Sequence, residues 1–194
     1  MIKEEFKRVY DEYNPIFAPM INKMIHDNYK YFQISETIKW EFGYDEDLSI
    51  MGTCDRNTNI IRLNIFSVKK AYEDNNLMDV EYIIIHEARH IFQHIKIREY
   101  KSRIIGEVDT NLIEKWIYEN ENYIKALDQD GKENPNYFKQ DSELDAYAFS
   151  YALMKYKYGP NKIKDLYIPE VYKTDREYND IVNDFIAFFK DIDT

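Results

Sequence analysis

One cysteine, Cys54, stands in a chain of 194 residues, so no intramolecular disulfide can form and a reducing compartment is implied. The thiol itself reads as a buried, inert group rather than a nucleophile. No uncharged apolar run approaches the roughly 20 residues needed to cross a bilayer, which excludes a membrane-spanning helix. Met1-Ile2-Lys3-Glu4-Glu5-Phe6-Lys7 lacks the apolar centre of a secretion signal. These absences predict a cytoplasmic protein with no membrane partner. Basic residues are outnumbered, 26 against 36 acids, for a formal net charge of −10. Lys and Arg are scattered among acids, so nothing in the pattern offers a phosphate backbone a cationic face, and no nucleic-acid partner is expected. The acidity reads as a solubility device. Repeats and low-complexity tracts are also missing. Oligomeric state has no signature here.

What is present is core material: 44% hydrophobic residues, with 11 Phe and 18 Tyr. A length of 194 residues fits a single domain, 1–194, with a core at about 36–158 and helical extensions at both ends. The apolar spacing predicts a helix over 2–13, ended by Asn14-Pro15, and a second over 16–29 carrying Phe17, Ile21 and Ile25. His26 lies beside that second stripe and reads as a partly buried structural residue. Between 36 and 66 the period changes. The runs 37–42, 48–54 and 59–65 are β-rich and separated by turn clusters, which predicts three antiparallel strands with a hairpin formed by 48–54 and 59–65. Helices are then expected over 67–73, from an Asp79 cap to about 100, over 107–126, from 140–142 to a stop at Gly159-Pro160, and over 176–192. The polar loop 128–136 opens like a calcium loop. It is discarded because Lys139 stands where a bidentate glutamate is required.

The chemistry concentrates in His86-Glu87-Ala88-Arg89-His90, an H-E-x-x-H within the apolar stretch Ile83 to Phe92. Residues four apart share one helix face, so His86 and His90 can address one ion while Glu87 reaches a water on it. Zn2+ is the first candidate. A catalytic site needs a third protein ligand, and only four histidines exist, none beyond His94. His94 sits two turns from His86, about 12 Å along the axis, too far for all three to ligate one ion from a straight helix. It reads as a supporting residue. The third ligand is then an acid from another helix. Glu143 stands out near the start of an Ala- and aromatic-rich helix, with Asp145 as runner-up. Ser142 with Asp145, or Asp141 alone, would otherwise serve as helix caps, and Glu143 as an exposed first-turn acid.

H-E-x-x-H followed by Glu143-Leu144-Asp145-Ala146-Tyr147-Ala148-Phe149, an E-x-x-A-x-x-F, resembles the gluzincin-type zinc peptidases. It is most similar to the ImmA/IrrE-like group, over about residues 48–155. The resemblance implies an α+β fold, mainly helical and zincin-like, with a small antiparallel sheet before the H-E-x-x-H helix. It implies Zn2+ held by His86, His90 and Glu143. It also implies an edge strand, here 59–65, that takes an extended substrate by β-addition. The chain departs from the group in Arg89, in Tyr147 where an Asp or Asn is usual, and in Lys155 where a proline is common. The expected activity is that of a zinc metallopeptidase, a hydrolase cutting a peptide bond in a cytosolic protein such as a repressor or regulator. Glu87 would be its general base, and Tyr147 or Arg89 its oxyanion donor. The alternative is a non-catalytic zinc-containing protein, of phage or mobile-element type, that binds and inhibits a host protein.

Overall fold

The computed structural model describes residues 2–45, 50–55, 57–104, 106, 108–127, 132 and 134–194. The start of the expected 48–54 strand and much of the discarded calcium loop, at 128–131 and 133, lie outside these residues. The fold is α+β, mostly helical with one small sheet. Among the described residues there are seven helices and three strands. No described helix is long and apolar enough to cross a membrane. The chain divides into two compact units, Met1–Ile91 and Phe92–Thr194. The division falls inside one unbroken helix.

The first unit opens with a single helix, α1 (Ile2–Phe32), where two were expected. Pro15 and Pro19 remove amide donors that would reach the carbonyls of Asp11 and Pro15. All three of these residues are exposed, so water can satisfy those carbonyls and the helix continues. Its buried stripe is Phe17, Ile21, Ile25, Asn28 and Phe32, close to four-residue spacing. His26 falls off that stripe and is exposed, not partly buried.

The sheet comprises β1 (Lys39–Gly43), β2 (Gly52–Asp55) and β3 (Ile60–Asn64), in the order β1-β3-β2. The hairpin forms as expected, with β2 antiparallel to β3 and Cys54 opposite Ile61. The sheet is mixed, however, because β1 runs parallel to β3, pairing Trp40 with Ile61 and Phe42 with Leu63. Connection length explains the direction. The hairpin fills one side of β3, so β1 takes the other, and the short path from Gly43 to Gly52 must cross β3 at one end. That requires β1 to run opposite to β2, hence parallel to β3. A consequence is that β3 is central, with Ile61 and Leu63 fully buried, and cannot be the substrate-binding edge. Cys54, on β2, is half-buried.

β3 passes directly into α2 (Ile65–Glu73). Asn64 is the last strand residue and the N-cap, its side-chain oxygen accepting from the Phe66 amide at 3.2 Å. The same Asn64 amide nitrogen donates to the carbonyls of Asp45 and Ile50, fixing both ends of the β1–β2 connection.

α3 (Leu77–Lys101) carries the H-E-x-x-H and passes from one unit into the next. Asp79 is in its first turn rather than at the cap, where it accepts from the Asn76 side chain at 2.6 Å. In the second unit follow α4 (Thr110–Glu121), α5 (Asp141–Tyr158), the short α6 (Glu170–Lys173) and α7 (Arg176–Ile192). α5 ends at Gly159, whose φ of 79° suits glycine, ahead of Pro160. Ala146, Ala148 and Ala152 keep α5 thin, and Phe149 meets Phe185 and Phe189 of α7 edge-on at 5.2 and 5.3 Å. Asp175 caps α7 by accepting from the Glu177 and Tyr178 amides.

Candidate metal centre

α3 is buried on nearly every side over Ile83 to Ile91, so its polar residues there must find partners within the protein. His86, Glu87 and Arg89 are all buried, and His90 is half-buried. One helical turn apart, the two imidazoles bring their Nε2 atoms to 3.1 Å, with ring planes 85° apart. Two nitrogens bound to one tetrahedral zinc at about 2.1 Å would lie roughly 3.4 Å apart. The observed pair is therefore close to ligating geometry.

Glu143 is 3% exposed, which removes the reading of an exposed first-turn acid. Ligand atoms of His86, His90 and Glu143 all lie within 4.8 Å of one another. Two imidazoles and one carboxylate are a donor set that suits Zn2+. The residues present fit the metal. His94, half-buried, is not part of this group, and neither is Asp145.

Asp145 has a partner of its own within the second unit. Gln93 of α3, buried, donates through Nε2 to Asp145 Oδ2 at 2.7 Å and to the Ser142 carbonyl at 2.9 Å. Neither Ser142 nor Asp141 caps α5. Gln140 occupies the cap position without a side-chain bond to the helix's first amides, and Glu119 of α4 accepts the amides of Asp141 and Ser142 at 2.6 and 2.9 Å. Burial holds the Glu119 carboxyl above the usual carboxylate range, against the lowering effect of those amides.

Tyr137 was not singled out by the sequence, since nothing distinguishes it among 18 tyrosines. Burial first, and the charge of Glu143 second, push the Tyr137 hydroxyl far above the ordinary phenol range, so it remains a donor. Tyr147, one turn beyond Glu143, has its ring 6.0 Å from Phe138 and 5.7 Å from Tyr172. Gly52 was likewise overlooked. A Cβ there would lie 2.6 Å from Ile83 Cγ2 and 3.5 Å from Glu87 Cγ, so β2 runs against α3 beside the glutamate of the H-E-x-x-H. No family model, no curated protein and no solved structure matches this chain.

Proposed function

We propose that this chain is a zinc-dependent endopeptidase acting on a cytosolic protein substrate. The observation that carries the reading is the convergence of His86, His90 and Glu143 within 4.8 Å on largely buried positions. When bound, Zn2+ would supply Lewis acidity and lower the pKa of a bound water to about 7. His86 and His90 present Nε2 from adjacent turns, and Glu143 presents one carboxylate oxygen. Glu87 is the general base, accepting the proton of the attacking water and delivering it to the leaving amine. Its position beside Gly52 supports that role, because a peptide laid along β2 would pass next to its carboxylate.

β2 replaces β3 as the substrate strand in this proposal. It lies at the sheet edge, and the Asn64 amide donates to the Met51 carbonyl. Antiparallel ladders alternate, so the N–H and C=O of Gly52 point away from β3, toward an added strand. An intact Glu87 distinguishes this reading from a structural zinc protein, which needs no base.

Metal analysis and a peptide-library digest of the purified chain test the proposal. About one zinc per chain is expected, with cleavage lost in Glu87→Gln while zinc stays bound. Absence of zinc, or cleavage equal to wild type in Glu87→Gln, overturns it.

A further inference from the structure

We propose that Glu119 of α4 is a positioning residue for the metal centre: its carboxylate caps the first turn of α5 and thereby holds Glu143, the third residue of that helix, where it ligates. The inference rests on the zinc reading above and adds to it a residue outside the H-E-x-x-H and the Glu143 helix. The first amides of a helix have no partner within it, and an uncapped end frays. The ladder of α5 begins at the Leu144 amide, which donates to the Gln140 carbonyl at 2.9 Å, so Glu143 belongs to the part that fraying would release.

The local sequence gives α5 no cap. Gln140 stands at the cap position, but its carboxamide is engaged elsewhere: Oε1 accepts from the Ile124 amide at 3.1 Å, and Nε2 donates to the carbonyls of Tyr137 and Ile124 at 3.1 and 3.3 Å. Glu119 supplies the acceptors from α4 instead. One of its oxygens takes the Asp141 amide at 2.6 Å and the other the Ser142 amide at 2.9 Å. A carboxylate placed there also meets the positive end of the helix dipole. A second tie between the same helices, Lys115 Nζ to Asp141 Oδ1 at 2.9 Å, has its lysine exposed, and exposed ion pairs contribute little. The half-buried Glu119 is the stronger hold on the turn that carries Glu143.

The test measures Zn2+ affinity of the full chain by competition with a chromogenic chelator, with helical circular dichroism checking the fold of each variant. Glu119→Ala removes both acceptors and should weaken binding about tenfold, the lower end of what partners around a metal site contribute, because Glu119 acts on the turn and not on the ligating carboxylate itself. Glu119→Gln keeps one acceptor oxygen and should recover most of that loss. Phe189→Leu alters the α7 core against Phe149, further along α5. It should lower Tm and leave zinc affinity as in wild type, which separates positioning from a general loss of stability. If the alanine variant does not fold, Glu119→Asp, its carboxylate drawn back by one methylene, is read in its place. Wild-type affinity in the folded alanine or aspartate variant, a glutamine variant that binds no better than that one, or an equal loss in Phe189→Leu overturns the proposal while leaving the zinc reading intact. A wild-type chain that binds no zinc overturns both.

Discussion

Gln93 and Asp145 are joined by a 2.7 Å hydrogen bond between buried side chains, and the same Gln93 nitrogen reaches the Ser142 carbonyl. One amide thus ties a late turn of α3 to the first turn of α5, the turn that carries Glu143.

Replacing Gln93 with Leu should therefore destabilise the protein by about 1–3 kcal/mol, because a buried carboxylate and a carbonyl lose this donor. Urea unfolding measures it. The accompanying fall in zinc affinity should exceed that of an exposed control such as Lys7→Ala, whose partner is Asp11 on the same helix.

The two acids should separate cleanly in metal binding. Glu143→Ala is expected to abolish stoichiometric zinc, whereas Asp145→Asn, which keeps an acceptor for Gln93, should retain it. Equilibrium dialysis followed by metal analysis reads both. Stoichiometric zinc in Glu143→Ala would remove that residue from the ligand set.

Zinc should also appear as stability. With free zinc at a hundredfold over its dissociation constant, linkage gives about 2.7 kcal/mol, a rise in Tm of roughly 5–10 °C for a chain of this size. A chelator should reverse the shift, and His86→Ala or His90→Ala should show none. Differential scanning calorimetry decides.

Gly52→Ala should strain the packing of β2 on α3, since the added carbon would meet Ile83 Cγ2 at 2.6 Å. Overpacking of this kind costs about 1–3 kcal/mol. Ile83→Ala removes the opposing methyl, so the double variant should lose less stability than the sum of the singles. Additive losses would mean that the two residues do not oppose each other.

The hairpin that presents β2 should loosen in acid. Asp55 accepts the amides of Asn57 and Thr58 at 2.9 and 3.0 Å, and these bonds hold its carboxyl below the usual aspartate value. A depressed folded pKa gives stability that is complete above the unfolded value, about 4, and is lost as pH falls through the folded one. Amide exchange at Asn57 and Thr58 should accelerate in that acidic window. In Asp55→Ala, exchange should already be fast at neutral pH and lack this acid-dependent step.

Local sequence determined much of the chain. Helical spacing with clear stops located α5 up to Gly159 and α7 behind Asp175, because caps and glycine act over a few residues. The four-residue spacing of His86 and His90 set their shared face, and the scarcity of histidine directed attention to an acid. Other features needed the tertiary structure. Two prolines could not reveal that their orphaned carbonyls would be exposed, so α1 was read as two helices. Strand direction depended on connection length and the slot left beside β3, not on side-chain alternation. Helix spacing already ranked Glu143 ahead of Asp145, but the bond of Asp145 with Gln93, and the placing of Tyr137 ahead of α5, needed the fold. The H-E-x-x-H named its chemistry because helix periodicity is local. Its partners come from other helices and strands, and only packing brings them to it.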